Sequence, residues 1–386
     1  MAITLLNSVN IDHAGSDLRT LSLYQGDITA TDAGQAVEFI CVSALPGDYQ
    51  PSGGSVIAAL AAKGVSVQNQ SQNKAADYRS TLPCWISQDV GAAGMNFKRV
   101  LVFEPADPAS NAPWDVGMIF QALARYTGGA GSSVALPMVC TGSGGAALPV
   151  ILRELFFQGA TGAGRASWPL AEVRLVVYGD AAAAQQQFDD MKTQYQNPPF
   201  TPSPAGQPPA GMSMLQYRCI RAYTGNDYRA LNIAMRKRSL TADDYIRLRP
   251  TIGMISAGLS NLADFVGLTL RGTALPPQVI AQYIPGALIE HYDFTSTSRV
   301  QPWPGSCLLK ISGVTGRDIE AISLFPNEHE VLYDCYMRDQ VTLAQGGGSE
   351  YGITYQYRFS SNQQIPEYKR QAAVFALTKE NRHAAS

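Results

Sequence analysis

Leu324-Phe-Pro-Asn-Glu-His-Glu-Val-Leu332 places two carboxylates, Glu328 and Glu330, two residues apart at the mouth of an apolar run. In an extended chain, residues i and i+2 face the same side. A strand beginning near Glu328 would therefore turn both carboxylates into one cleft. Taken alone, Glu-x-Glu reads more readily as a solvated strand edge. Its meaning depends on what the chain brings beside it.

Two upstream pieces supply that context. Leu268-Thr-Leu-Arg-Gly-Thr273 reads as a strand carrying Arg271, and Phe294-Thr-Ser-Thr-Ser298 as a strand carrying Ser296. The order Arg, then Ser-Thr-Ser, then Glu-x-Glu, within about sixty residues, resembles the arginine-serine-glutamate class of mono-ADP-ribosyltransferases, the NAD-consuming, toxin-like enzymes. The resemblance covers roughly residues 220 to 360, where helices come first and strands later, an α+β sandwich rather than a parallel sheet.

The resemblance implies roles. Arg271 would hold the NAD phosphates or ribose oxygens, and the main chain of Gly272 the nicotinamide amide. Ser296 would fix the rotamer of Glu330, while Thr297 and Ser298 order the strand crossing. Glu330 would bind the ribose 2'-hydroxyl and stabilise the oxocarbenium ion. Glu328 would prepare the acceptor, and Phe325 would contact the target protein. A Glu at the first position of the pair accompanies arginine as acceptor, and a carboxylate that orients and deprotonates a guanidinium is chemically sensible there. Arg299, in the turn Arg299-Val-Gln-Pro-Trp303, is a candidate clamp on the diphosphate. Tyr223-Thr-Gly-Asn-Asp-Tyr228, leading into Leu231-Asn232-Ile233 and Met235-Arg236, resembles the family's opening helix and puts Tyr228 at the NAD site. After the carboxylate pair this chain reads Val331-Leu-Tyr-Asp-Cys-Tyr-Met337 where relatives carry a short, proline-bearing strand. That departure bears on the acceptor side of the cleft.

Composition bounds the rest. With 386 residues, 46% hydrophobic and 16% charged, the chain is globular and long enough for more than one core. A net charge of -2 gives no bulk attraction to nucleic acid or an anionic membrane, and no run reaches membrane-spanning length. The cysteines lie far apart in apolar runs, as reduced thiols do, and neither they nor the four histidines show a metal-ligand spacing. The resemblance implies NAD as substrate and a protein acceptor, and no metal is expected. Met1 to Val9 lacks the basic start of a secretory signal, so the chain is expected to be made in the cytoplasm. An effector delivered into a target cell would also lack that signal.

The first half alternates short apolar runs (18–24, 37–42, 99–103, 133–140 and 173–178) with helix-like runs (55–63, 114–126, 149–158 and 181–195), which predicts a three-layer α/β domain over residues 1–195. Gly26-Asp-Ile-Thr follows the first run, and a glycine loop, Thr141-Gly-Ser-Gly-Gly145, joins a strand to the helix at Pro149. Backbone N–H groups of such a loop, beside a helix N-terminus, suit a diphosphate. The combination is similar to macro domains, which implies ADP-ribose contacts from Asp27, Gly142, Ser143 and Gly144. Where that family carries Asn-Ala-Ala-Asn, this chain reads Val42-Ser-Ala-Leu45. A turn without a ligand is an equal reading of the loop. The prolines of residues 196–211 mark a linker, leaving residues 212–386 as the second domain.

The leading expectation is an NAD-dependent mono-ADP-ribosyltransferase with arginine as the acceptor and a toxin- or effector-like role. Two other readings stay open: an NAD glycohydrolase, in which water takes the place of the acceptor, and a non-catalytic ADP-ribose reader or scaffold.

Overall fold

A computed structural model of the chain describes residues 3–91, 94–127, 132–166, 170–204, 206–345 and 350–357. The chain divides into two compact units, Met1–Pro199 and a second beginning at Phe200. The tail 367–386 reads from its sequence as a terminal helix and lies outside the described residues.

In the first unit, strands β1 (Thr4–Asn10), β2 (Thr20–Gln25), β3 (Val37–Ser43), β4 (Lys74–Asp77), β5 (Cys84–Ser87), β6 (Phe97–Phe103), β7 (Ser132–Pro137) and β8 (Leu170–Val177) form one eight-stranded sheet in the order β1-β2-β8-β7-β3-β6-β5-β4. The five central strands, β2, β8, β7, β3 and β6, pair in parallel and correspond to the five apolar runs. The flanking strands β1, β5 and β4 pair antiparallel.

The helices are α1 (Val56–Ala62), α2 (Val67–Gln70), α3 (Ala112–Thr127), α4 (Leu148–Ala163) and α5 (Ala182–Gln196). Alternation along the buried strands separates two apolar faces. Ile40, Val42, Val100 and Val102 join Ile57, Leu60 and Val67 of α1 and α2 in one cluster. On the opposite face Phe39 meets Tyr126 of α3 edge-on at 5.8 Å, and Phe156 of α4 meets Phe188 of α5 at 5.1 Å. The unit is thus three-layered.

The second unit opens with α6 (Met214–Ala222), capped by Ser213, whose Oγ accepts the Gln216 N–H while the Gln216 side chain returns to the Ser213 backbone. A π-helical segment, Tyr223–Asp227, follows and contains a kink at Gly225 (ψ -114°). It leads into α7 (Tyr228–Arg236), and then α8 (Asp243–Ser260). No helix or strand interrupts the described residues between Gln196 and Met214.

Locally, Thr241 with Asp244 reads as a capping box and Pro250 as a helix break, and α8 follows neither expectation. Helix α8 runs through Pro250 without ending, because Leu248 to Leu259 is buried on all sides and that packing outweighs the hydrogen bond a proline removes. Nor do Thr241 and Asp244 form a capping box: Ala242 occupies the cap, and Asp244 pairs with Lys237.

The strands that follow are β9 (Asp264–Thr273), then, after the short helix α9 (Pro277–Ile280), β10 (Leu288–His291), β11 (Thr295–Ser298), β12 (Cys307–Asp318), β13 (Glu330–Tyr333), β14 (Met337–Gln345) and β15 (Glu350–Tyr357). They form a mixed seven-stranded sheet, β10-β14-β15-β12-β13-β11-β9, with β9 also paired along β12. The extra pairing closes β9, β12, β13 and β11 into a ring. Leu309 and Ile311 of β12, Val331 and Tyr333 of β13 and Val341 of β14 fill a core cluster with Tyr283. The ring brings Arg271, Ser296 and Glu330 onto neighbouring strands.

Candidate active site

Strand β11 is the centre of the site. Its antiparallel register sets Ser298 opposite Glu330 on β13 and opposite Leu270 on β9. The Ser296 hydroxyl donates to Glu330 Oε1. Arg271 Nη1 donates to the Ser296 carbonyl at 3.1 Å. Thr297 and Ser298, both buried, serve the backbone instead: Thr297 Oγ1 donates to the Val331 carbonyl at 2.7 Å, and Ser298 Oγ to the Glu328 carbonyl at 2.8 Å. The same Ser298 oxygen accepts the N–H groups of Val300 and Gln301 at 3.2 Å, which fixes where the chain leaves the strand.

Glu330 is the first residue of β13 and only 4% exposed. Burial pushes its carboxyl up to about 7, the Glu328 charge adds to that, and the Ser296 hydrogen bond and Arg271 act against it. Glu328 is not part of the strand. It ends a 3-10 turn, Pro326–Glu328, and His329 then adopts a left-handed conformation (φ 49°, ψ 50°). Both carboxylates line one cleft. Their convergence comes from this turn and not from strand alternation, so the expected outcome is reached by a different route.

The cleft encloses about 560 Å³ and is lined by Arg271, Gly272, Ser296, Glu328 and Glu330 together with Tyr228 and Phe325. Phe325 sits at 52% exposure on the same turn as Glu328. Sequence reasoning gave no site role to Tyr223, Asn232, Arg236 or Trp303, which also line the cleft. A signal for two of them was present. Tyr228, Asn232 and Arg236 are spaced i, i+4, i+8, one face of α7. Asn232 Nδ2 donates to the Tyr223 hydroxyl and to the Phe294 carbonyl at 3.3 Å, whereas its buried Oδ1 has no hydrogen-bond partner. Arg236 is held by Asp293, Nη2 to Oδ2 at 2.6 Å.

Arg299 does not line the cleft. Its guanidinium pairs with Glu320, and Nη1 lies 3.5 Å from Asp318. Two carboxylates on the outer side of the turn capture it, and Trp303 from the same segment reaches the cleft in its place. The main chain of that segment lies directly against Gly272: a Cβ there would fall 1.5 Å from the Trp303 carbonyl oxygen. Gly272→Ala must therefore displace the 299–306 turn. It is expected to cost about 1–3 kcal/mol of stability as backbone overpacking. A lowered melting temperature in a thermal scan checks this, and an unchanged one would show that the turn is free to move.

In the first unit, the Gly26 turn and the 138–147 loop both follow carboxyl ends of parallel strands, where α/β sheets gather ligands. Asp27 Oδ1 accepts from the Thr29 N–H at 2.9 Å and the Thr29 hydroxyl at 2.8 Å. Gly142 and Ser143 are exposed and Gly144 half-buried, in a loop whose Cys140 N–H is held by Ser43 Oγ at 3.2 Å. Val42 is fully buried in the sheet and Leu45 is exposed beyond it.

Part of the chain is similar to arginine ADP-ribosyltransferases. It is 34% identical over 127 residues to the NAD(+)–protein-arginine ADP-ribosyltransferase Tre1 of Serratia proteamaculans (strain 568), a match covering 33% of this chain and 28% of Tre1. It is also 34% identical over 117 residues to Mav of Mycobacterium avium (strain 104), which bears an NAD(+)–arginine ADP-ribosyltransferase name as a provisional designation; that match covers 29% of this chain and 14% of Mav. The chain thus spans under a third of the length of either relative. Among solved structures, the ADP-ribosyltransferase HopU1 of Pseudomonas syringae pv. Tomato DC3000 aligns at 24% identity with a TM-score of 0.30, over 33% of this chain and 65% of that one. No protein-family model matches the chain. Among the described residues, no helix is long and apolar enough to cross a membrane, and no group of three or more metal-ligating side chains is assembled.

Proposed function

We propose that the second unit transfers ADP-ribose from NAD to an arginine side chain of a protein and releases nicotinamide. The observation that carries this reading is the buried Glu330, hydrogen-bonded to Ser296 and sharing a cleft with Glu328 and Arg271. In the proposed reaction the bond between the ribose C1' and the nicotinamide nitrogen breaks, and its electron pair leaves with nicotinamide. A guanidine nitrogen forms the new bond to C1' and gives up a proton to Glu328.

Each side chain meets one need of that reaction. Ionised Glu330, with its rotamer held by Ser296, binds the ribose 2'-hydroxyl and faces the developing positive charge. Arg271 offers permanently charged planar donors to the dinucleotide phosphates. Tyr228 and Asn232 form the adjoining wall, with Asn232 held by its bonds to the Tyr223 hydroxyl and the Phe294 carbonyl. The exposed Phe325 ring beside Glu328 offers an apolar anchor for the acceptor protein.

The first unit fits a divergent macro-like domain that anchors, targets or regulates the second. The reading is supported by its three layers and by the Asp27 turn and glycine loop at the carboxyl ends of its parallel strands. An effector-like role, with delivery into a target cell, belongs to the same proposal and rests on the likeness of the Arg271, Ser296 and Glu328–Glu330 motifs to toxin-like transferases.

Incubation of the full chain with NAD labelled in its adenylate half and with agmatine, a small guanidine, tests the proposal. Label on agmatine is the expected result. Free ADP-ribose alone would make the protein a glycohydrolase, and unchanged NAD would overturn the enzymatic reading.

A further inference from the structure

The turn that carries Glu328 is built as a closed loop whose tip is held at both ends. Its base is pinned where the Ile319 N–H donates to the Glu330 carbonyl at 3.0 Å. Its first arm folds on itself, the N–H groups of Ile322 and Ser323 both donating to the Ile319 carbonyl at 2.8 Å. Its tip, from Phe325 to Glu328, is caught at the far end by Ser298 Oγ on the Glu328 carbonyl. What holds the near end comes from outside the strands.

That hold is the junction of α6 with the π-helical segment. Arg221 Nη1 donates to the Ile322 carbonyl at 2.9 Å and to the Ser323 carbonyl at 3.4 Å. Thr224 Oγ1 accepts the Leu324 N–H at 3.0 Å while donating to the Arg221 carbonyl at 2.8 Å. At the kink, a Cβ on Gly225 would come 3.1 Å from Leu324 Cδ1, so the turn seats directly on the break in the helix. Arg221 is itself steadied by the Tyr217 ring, 5.9 Å away. Arg221 is not among the residues lining the cleft; Thr224 is, with its hydroxyl taken up by the Leu324 N–H and the Arg221 carbonyl.

We propose that Arg221 and Thr224 form a latch that positions Glu328, and so decides whether the ribosyl group passes to a guanidine or to water. The inference rests on the transferase reading given above and adds the residues that set its outcome. Both are positioning residues, since they act through the turn backbone. The hydroxyl of water needs no carboxylate to strip a proton before attacking an oxocarbenium ion, whereas a guanidinium does. Loosening the tip therefore removes transfer and spares hydrolysis. A displacement of about 1 Å in a group that prepares a nucleophile is enough to cost about a hundredfold.

The test uses the full chain with NAD and agmatine, measuring ADP-ribosyl-agmatine and free ADP-ribose in the same sample. Arg221→Met keeps the apolar stem and removes the donors, and Thr224→Val removes the acceptor of the Leu324 N–H at nearly constant shape. In both, transfer is expected to fall by at least about tenfold with hydrolysis held within about twofold, and Thr224→Ser to restore the wild-type partition. An equal fall of both products in a protein that melts as the wild type does would overturn the latch, as would undiminished transfer. If Arg221→Met fails to fold, the Thr224→Val and Thr224→Ser pair decides the matter alone. Wild-type protein that consumes no NAD would instead overturn the transferase reading, and the latch with it.

Discussion

Glu330→Gln is expected to lower both transfer and NAD hydrolysis by about a hundredfold or more, the range for losing one preorganised electrostatic contact to a developing charge. The substitution keeps shape and removes the negative charge that faces the ribosyl cation. It also removes a buried charge, so the variant is expected to be at least as stable as the wild type above neutral pH.

The pH dependence follows from the same burial. The Glu330 carboxyl is raised from its ordinary 4.5 to about 7 in the folded protein. Catalysis needs the ionised form, so kcat/KM for NAD should climb with pH through an apparent pKa near 7. Stability runs the other way. Between 4.5 and about 7 the folded state holds the Glu330 proton more tightly than the unfolded chain, so this residue's contribution falls as pH rises through that window. Initial rates of NAD consumption and denaturant midpoints over pH 5–9 check both signs, with Glu330→Gln as the control that lacks this residue's contribution to the second. Full activity in Glu330→Gln would remove the basis for assigning this site.

Glu328→Gln should separate the two activities. It leaves the charge at the ribose in place and removes the base that prepares a guanidinium, so transfer to agmatine is expected to disappear while slow hydrolysis continues. Loss of the neighbouring negative charge also favours ionisation of Glu330. The acid limb of the hydrolysis profile should therefore move to lower pH. A variant that transfers to agmatine as the wild type does would mean that another group takes the proton and that Glu328 is not the base.

How much of this was legible in the chain depended on the range of the interaction. The five central strands of the first unit were readable because strands buried on both faces are continuously apolar, as in Phe39-Ile-Cys-Val42. The flanking strands β4 and β5 were not. Each is four residues long, and Lys74-Ala-Ala-Asp77 has neither apolar continuity nor alternation, so only its pairing with β5 makes it a strand. Pro250 shows the same limit in a helix: the local rule predicts a break, and the surrounding core overrides it.

In the site, the sequence alone determined which residue types were to meet. Arg271, Ser296 and Glu330 were identifiable because each sits in or beside a strand-like run, in an order that carries a chemical logic. Only the tertiary structure decided how the rest are aimed. Glu328 reaches the cleft through a 3-10 turn and a left-handed His329, Arg299 is drawn off by Asp318 and Glu320, and Trp303 comes in over Gly272. The latch joins Arg221 and Thr224 to backbone groups about a hundred residues further along the chain. A hydrogen bond to a carbonyl or an amide leaves no mark on the partner's identity, because every residue carries those groups. Contacts of that kind are set by the closing of the ring of strands, and composition and spacing do not record them.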